Sequence, residues 1–257
     1  MTMHAPTGGV LKWIMPPLIF IGEVSILFFE AGRRIFKRPF EAAETMNQMA
    51  FVGVASVPII ALTTFASGAV LSLYLTPLLL DSGAAPLLGA MIALTITREI
   101  APVIAGIMVA ARCGSAMAAQ ISSMAVTEQL DALRALSVHP YSYLVVPRML
   151  AGALMLPILC LVGIFTGVGG GLIVASVYGI PPDVFMHSVE TWIEPWDFAG
   201  GLLKTVAFGL IVTLVSCQQG LRAKGGAVGV GRATTNAVVI SIVLVYIANF
   251  FLADLFY

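Results

Sequence analysis

Charged side chains are missing from three long intervals: 36 residues from Thr45 to Leu80, 34 from Met149 to Pro182, and 21 from Ala233 to Ala253. Two further apolar stretches carry embedded charge. Ser82 to Thr127 is interrupted by Arg98, Glu99 and Arg112, and Phe198 to Leu221 by Lys204. About 20 apolar residues cross a bilayer as a helix. The pattern therefore predicts five spans, at roughly 48–78, 86–121, 146–177, 198–219 and 234–255. The first three exceed one crossing and must tilt, kink or project from the bilayer. Pro58, Pro102 and Pro157 are candidate kinks. A re-entrant hairpin within 45–80 or 149–182 is the competing reading, although either interval is short for two full crossings.

The connections differ in charge. Arg33, Arg34, Lys37 and Arg38 precede the first span, Arg134 lies in the second connection, Arg148 opens the third span, and Arg222, Lys224 and Arg232 occupy the fourth connection. The stretches 79–85 and 178–197 contain no Lys or Arg and carry Asp81, Asp183, Glu190, Glu194 and Asp197. The positive-inside rule then predicts a cytoplasmic N-terminus and an external C-terminus.

Two shorter segments read as amphipathic helices. In 17–37, with Pro at the first turn, Glu23, Glu30, Arg33, Arg34 and Lys37 fall near one face and Leu18, Ile21, Ile26, Leu27 and Phe28 largely opposite. That pattern predicts an interfacial helix; a short sixth span competes with it, at the cost of a central Glu23. In 124–137, Thr127 is the candidate N-cap, with Glu128 in the first turn. Leu130, Leu133 and Leu136 can face one way while Glu128, Asp131 and Arg134 face water. Such a helix either lies on the headgroups or enters a hydrophobic groove on a partner. With two acids, Glu128 and Asp131, against one base, Arg134, its charge suits a groove better than an anionic leaflet.

Composition narrows the class. Charged residues make up 10% of the chain, against about 25% in a soluble domain. Hydrophobic residues make up 59%, and mean hydropathy is +1.00. No soluble fold of this size hides so much apolar surface. The net charge of zero gives no field to attract nucleic acid. The pattern and the composition together predict an all-α integral membrane protein forming a single membrane domain over 1–257, and they disfavour a soluble enzyme and a disordered chain. No cleavable signal peptide is expected, because Pro16-Pro17 and Glu23 cut the first apolar run.

The candidate chemistry is sparse. Cys113, Cys160 and Cys217 lie far apart in apolar stretches and read as small core residues. His4, His139 and His187 are scattered, so no metal site is expected. The run Gly225-Gly226-Ala227-Val228-Gly229-Val230-Gly231 is glycine-rich but has no strand before it and no Gly-Lys-Ser/Thr ending, so no nucleotide site is expected. No catalytic group is visible.

Small residues recur every four positions at Gly106, Ala110, Gly114, Ala118 and Ser122, and again at Gly163, Gly167 and Gly171. Such faces let helices approach closely in lipid, within one subunit or between two. Arg98, Glu99, Asp197 and Lys204 are predicted to share the outer half of one bundle. Two readings of them stay open: Arg98–Glu99 and Asp197–Lys204 pairs that only set helix register, or groups lining a ligand cavity.

The stretch TREIAPVIAGIMVAARCGSAMAAQISSMAVTEQLDALRAL, Thr97 to Leu136, closely resembles permease subunits of MCE-associated lipid ABC transporters, the MlaE/YrbE family, which includes a chloroplast-envelope relative. GLRAKGGAVGVGRATTNAVV, Gly220 to Val239, resembles a second signature of that family. The resemblance implies a homodimeric bacterial inner-membrane permease with a phospholipid or related lipid as substrate. It also implies two cytoplasmic ATPase subunits that hold ATP and Mg, a periplasmic MCE-domain partner, and no cofactor on this chain. In that family the helix matching 124–137 is the coupling helix, and the positions matching Arg98, Glu99, Asp197 and Lys204 lie near the lipid cavity. Arg98 and Lys204 would then offer cations to a lipid phosphate. The absence of a visible transit peptide favours a bacterium over a plastid. The rival reading is an ATPase-independent secondary transporter or channel using Glu99 as an ion site. It leaves the 124–137 helix without a purpose.

Overall fold

A segment surrounded by lipid must satisfy its own backbone hydrogen bonds, and helix does this within one segment. A computed structural model describes residues 10–35, 42–136 and 139–257, and the regular structure among them is entirely helical. The helices are α1 (Val10–Ile35), α2 (Ala42–Val52), α3 (Val57–Asp81), α4 (Leu88–Thr95), α5 (Ala101–Val109), α6 (Ser115–Val126), α7 (Gln129–Ala135), α8 (Val146–Val177), α9 (Pro182–Trp192), α10 (Pro195–Leu221) and α11 (Gly226–Phe256). Several join end to end. Among the described residues, six helical segments are long and apolar enough to cross a membrane: Met15–Ile35, Ala42–Asp81, Ala85–Val126, Tyr141–Val177, Pro195–Leu221 and Gly226–Phe256. The last five match the expected spans with longer ends. The first is the segment that the polar pattern assigns to the interface.

Breaks occur where the backbone has a reason to break. Pro58 stands at the start of α3, just after a short 3₁₀ turn at Val54–Ser56; there its missing N–H costs nothing. Pro102 opens α5 after a π turn at Ile96–Ile100. A second π turn, Ala110–Gly114, joins α5 to α6. Pro157 lies inside α8 without interrupting it. Hydroxyls in the spans donate back to carbonyls one turn earlier, as Thr64 does to Ile60 and Thr213 to Gly209, at 2.7 and 2.8 Å.

The small-residue stripes are used inside the chain. A Cβ built on Gly68 of α3 would lie 1.9 Å from the Gly167 carbonyl oxygen, and one on Gly171 would lie 2.8 Å from Ile92. Gly163 faces Thr64 and Ala101. Gly106 meets Phe208 and Val245, and Gly114 meets Val212 and Ser216. Ala110 and Ala118 are fully buried. The buried Ser122 hydroxyl donates to the Ala118 carbonyl.

Three local expectations need correction. The 124–137 helix is shorter: 124–126 continue α6, α7 ends at Ala135, Leu136 lies in the turn beyond it, and Ser137 is outside the described residues. Thr127 does not cap α7, because its hydroxyl donates to the Ser123 carbonyl at 2.8 Å. Glu128 is the cap residue instead, with left-handed φ 60°, ψ 13°. The N-terminal helix begins at Val10, upstream of Pro16-Pro17, while residues 36–41 fall outside the described residues. The glycine run after Lys224 forms a reversal into α11. Gly225 and Gly226 take φ of +89° and +67°, and a Cβ on Gly229 would lie 2.0 Å from the Lys224 carbonyl oxygen.

Helix α9 has no counterpart in the sequence reading. It docks on the start of α4, where Ser188 Oγ accepts the Ala90 N–H at 3.0 Å and donates to the Phe185 carbonyl at 2.9 Å. A helix start leaves such N–H groups without internal partners; here another helix supplies one.

The α3–α8 crossing yields a test. Gly68→Ala is expected to destabilise the protein by about 1–3 kcal/mol through overpacking. Gly22→Ala, where nothing lies within 4 Å, should be neutral or mildly stabilising. Thermal unfolding in detergent measures both.

Candidate functional site

Arg98 and Glu99 are neighbours on a helix, so their side chains diverge by about 100° and cannot pair with each other. Asp197 and Lys204 are seven residues apart on α10, about 10 Å along the axis. The observed pairing is crossed, which corrects the pairs expected from sequence. Arg98 Nη2 and Nε bond Asp197 Oδ1 at 2.7 and 2.8 Å. Lys204 Nζ bonds Glu99 Oε1 at 2.7 Å. The π turn and α10 are thus joined by two ion pairs.

Each charge has further partners. Asp197 Oδ2 accepts the Glu194 N–H at 2.9 Å in a capping box that starts α10. Glu99 Oε2 accepts from Asn249 Nδ2 of α11 at 2.7 Å. Lys204 Nζ also donates to the Arg98 carbonyl at 3.0 Å. That carbonyl is four residues before Pro102, which has no N–H to offer it. The proline creates the acceptor and the lysine uses it. Gly201 permits the approach, since a Cβ there would lie 2.5 Å from the Thr97 carbonyl oxygen.

Tyr257 closes the group. Its hydroxyl donates to the Asp197 carbonyl at 3.1 Å, and its ring lies 4.6 Å from Arg98 Cζ and 4.8 Å from Lys204 Nζ. A Cβ on Gly200 would lie 2.7 Å from the tyrosine oxygen. Asn249 and Tyr257 were not singled out in the sequence, and Glu194 was read there only as an external acid. Asn249 was the findable one, as a polar residue inside a 21-residue charge-free interval.

The four charges differ in exposure, and that divides their roles. The Lys204 side chain is fully buried and that of Asp197 only 3% exposed, whereas those of Arg98 and Glu99 are 39% and 40% exposed. Lys204 is therefore an internal strut in this chain, its ammonium closed off from solvent. Arg98 and Glu99 are the polar groups a ligand can reach. Two cations and two acids leave the cluster neutral.

At the other end of the bundle, α7 presents a mixed face. Leu130 is 7% exposed and lines a cleft of about 320 Å³ with Glu23, Leu27, Arg134, Tyr141 and Gln218. Leu136 is 73% exposed and Leu133 partly so. The three leucines therefore do not share one face, because α7 ends before Leu136. Asp131 and Arg134 pair with each other at 2.7 Å in solvent. Glu23 of α1 accepts from Gln218 at 2.7 Å and lies 3.4 Å from Arg222.

Residues 45–255 match the family model described as Permease MlaE. A probable ABC transporter permease of Synechocystis is 41% identical over 234 residues, covering 90% of this chain and 89% of its own. A probable ABC transporter permease of Rickettsia felis is 41% identical over 239 residues, covering 92% of each chain. The chloroplastic protein Trigalactosyldiacylglycerol 1 of Arabidopsis thaliana is 36% identical over 248 residues, covering 96% of this chain and 71% of its own.

The crossed pairs make a stability prediction. Glu99→Gln leaves Lys204 buried without a counter-charge and should destabilise by about 3–5 kcal/mol. Pairing it with Lys204→Gln should restore part of that loss. A double-mutant cycle in detergent measures the coupling.

Proposed function

The chain belongs to the MlaE permease family, and from that premise we propose that it is the membrane subunit of an ABC transporter moving phospholipid between an inner membrane and an MCE-domain protein. The observation that carries this reading is the polar cluster inside the spans. Intramembrane ionisable groups mark pathways by default, and here Arg98 and Glu99 keep about two-fifths of their side chains open. A lipid phosphate would meet Arg98, whose planar fork suits phosphate oxygens, in competition with Asp197. The apolar side chains of the spans would suit acyl chains. The Arabidopsis relative carries the name of a diacylglycerol lipid, which supports a lipid substrate.

The proposed assembly is a homodimer with two cytoplasmic ATPase subunits, which hold ATP and Mg, and a periplasmic MCE-domain protein. Basic residues Arg134, Arg222 and Lys224 lie toward the α7 end, and Asp183, Glu190 and Glu194 lie on or beside α9. The positive-inside rule then makes the α7 end cytoplasmic. On this orientation α1 is interfacial. Its Glu23 reaches Gln218 and its Arg34 reaches Ser142 at 3.3 Å, while Leu18, Ile21, Ile26 and Phe29 stay exposed for lipid. Five spans follow it, ending in a periplasmic C-terminus.

In this reading α7 is the coupling helix, and its exposed end does the docking. Leu136→Asp and Leu133→Asp are expected to release the ATPase or uncouple hydrolysis from lipid transfer while the permease stays folded. Leu130→Asp should instead lower stability, because Leu130 packs within the chain. Co-purified ATPase, thermal stability and lipid transfer by the reconstituted complex separate these outcomes. Unchanged stoichiometry and coupling in both docking variants would count against the reading.

A further inference from the structure

The Ala85–Val126 span contains two π turns, and each holds an arginine at its third position: Arg98 in Ile96–Ile100 and Arg112 in Ala110–Gly114. They are 14 residues apart, about 21 Å along the helix. π turns within α-helices occur often at functional sites. The first turn follows its arginine with Glu99; the second follows it with Cys113.

The two arginines are held differently. Arg98 has Asp197. Among the described residues no carboxylate pairs with Arg112. Its contacts run through one nitrogen: Nη1 donates to the Phe51 carbonyl at 3.3 Å, to Ser56 Oγ at 3.2 Å and to Cys113 Sγ at 3.5 Å. The Phe51 carbonyl lies in the last turn of α2, where a helix end leaves acceptors free. The Phe51 ring lies 5.6 Å from Cζ. One edge of the guanidinium is thus anchored at the α2–α3 break. The residue is only partly buried, and Nη2 and Nε have no protein partner among the described residues. Arg148, also without a carboxylate partner, is 4% exposed and sealed between the Leu144 carbonyl and Gln120.

A cation in the apolar zone without a counter-ion is costly. A second copy of the chain is poorly placed to neutralise it. A two-fold axis along the membrane normal keeps every residue at its own depth. The nearest acid along α2 is Glu44, seven residues before Phe51, about 10 Å away, and Gln48 bonds it at 2.8 Å. We propose that Arg112 is a second anion site on this span, binding the phosphate of a lipid headgroup about 21 Å from Arg98 toward the α7 end. The proposal rests on the phospholipid-permease reading. It gives the lipid two successive phosphate positions on one helix, the first shared with Asp197 and the second free of competition from an acid.

The test is lipid binding by the full chain in detergent micelles, read by native mass spectrometry. Phosphatidylglycerol is titrated in one series and diacylglycerol, which lacks phosphate, in another. Arg112→Gln is expected to weaken phosphatidylglycerol binding about tenfold or more, to leave diacylglycerol binding unchanged, and to be partly rescued in Arg112→Lys. Equal phosphatidylglycerol affinity in wild type and Arg112→Gln overturns the site, whatever happens to thermal stability. Displacement of the lipid by excess inorganic phosphate assigns the site to a free anion and overturns the lipid assignment. A wild-type chain that binds no phosphatidylglycerol defeats the phospholipid reading itself, and the site with it. Should Arg112→Gln fold too poorly to titrate, a phospholipid with a photoreactive headgroup decides on the wild-type chain. Cross-links to residues 51–56 and 108–115 are expected, and their absence there overturns the proposal.

Discussion

The ammonium of Lys204 has no accessible surface, and the arrangement around it follows from keeping that charge satisfied. Glu99 neutralises it, and Asn249 orients the far oxygen of Glu99. The Arg98 carbonyl becomes available because Pro102 cannot bond it. Gly200 and Gly201 bring α10 close enough to Tyr257 and the π turn. Removing any one of these leaves a polar group stranded in an apolar interior, where such groups cost most. The same contacts tie α10 to the Ala85–Val126 span and to the C-terminal end of α11. The proposed binding group and a structural joint are therefore one object, with Arg98 and Glu99 as its accessible side and Lys204 and Asp197 as its sealed side.

Much of this was legible in the sequence because lipid imposes a crude rule: charge is excluded unless it has a reason to be there. Three charge-free intervals and two apolar stretches with embedded charge located five apolar segments, and the embedded charges included Arg98, Glu99 and Lys204. The pairing was not legible. It depends on the side-chain directions of two helices and on a π turn, and adjacency along the chain is a poor guide to either. Asn249 and Tyr257 were missed for a related reason: neither carries a formal charge, so neither interrupted the pattern. Helix α9 was missed because its apolar face is short and its partner, the start of α4, is nearly a hundred residues away. The three leucines of 130–136 gave a regular spacing on paper. The chain instead ends α7 before the third, so a spacing argument outran the helix it assumed.

The small-residue stripes carry a similar lesson. Gly163, Gly167 and Gly171 suit either an internal seam or a subunit interface by composition alone. The backbone of α3 lies against Gly167 and Ile92 against Gly171, so this stripe serves the internal seam. The proposed homodimer would therefore use other surfaces.

The crossed ion pairs also have a history in time. Arg98 and Asp197 are 99 residues apart, and Glu99 and Lys204 are 105 apart. During synthesis at about 5–20 residues per second, the Ala85–Val126 span waits several seconds before α10 exists to neutralise it. In that interval Arg98 and Glu99 must lie at an interface, a water-filled insertion channel or a temporary partner, because the bilayer interior offers them nothing. Insertion of this span is thus completed by a helix made later, and the order of assembly is written into the charge pattern.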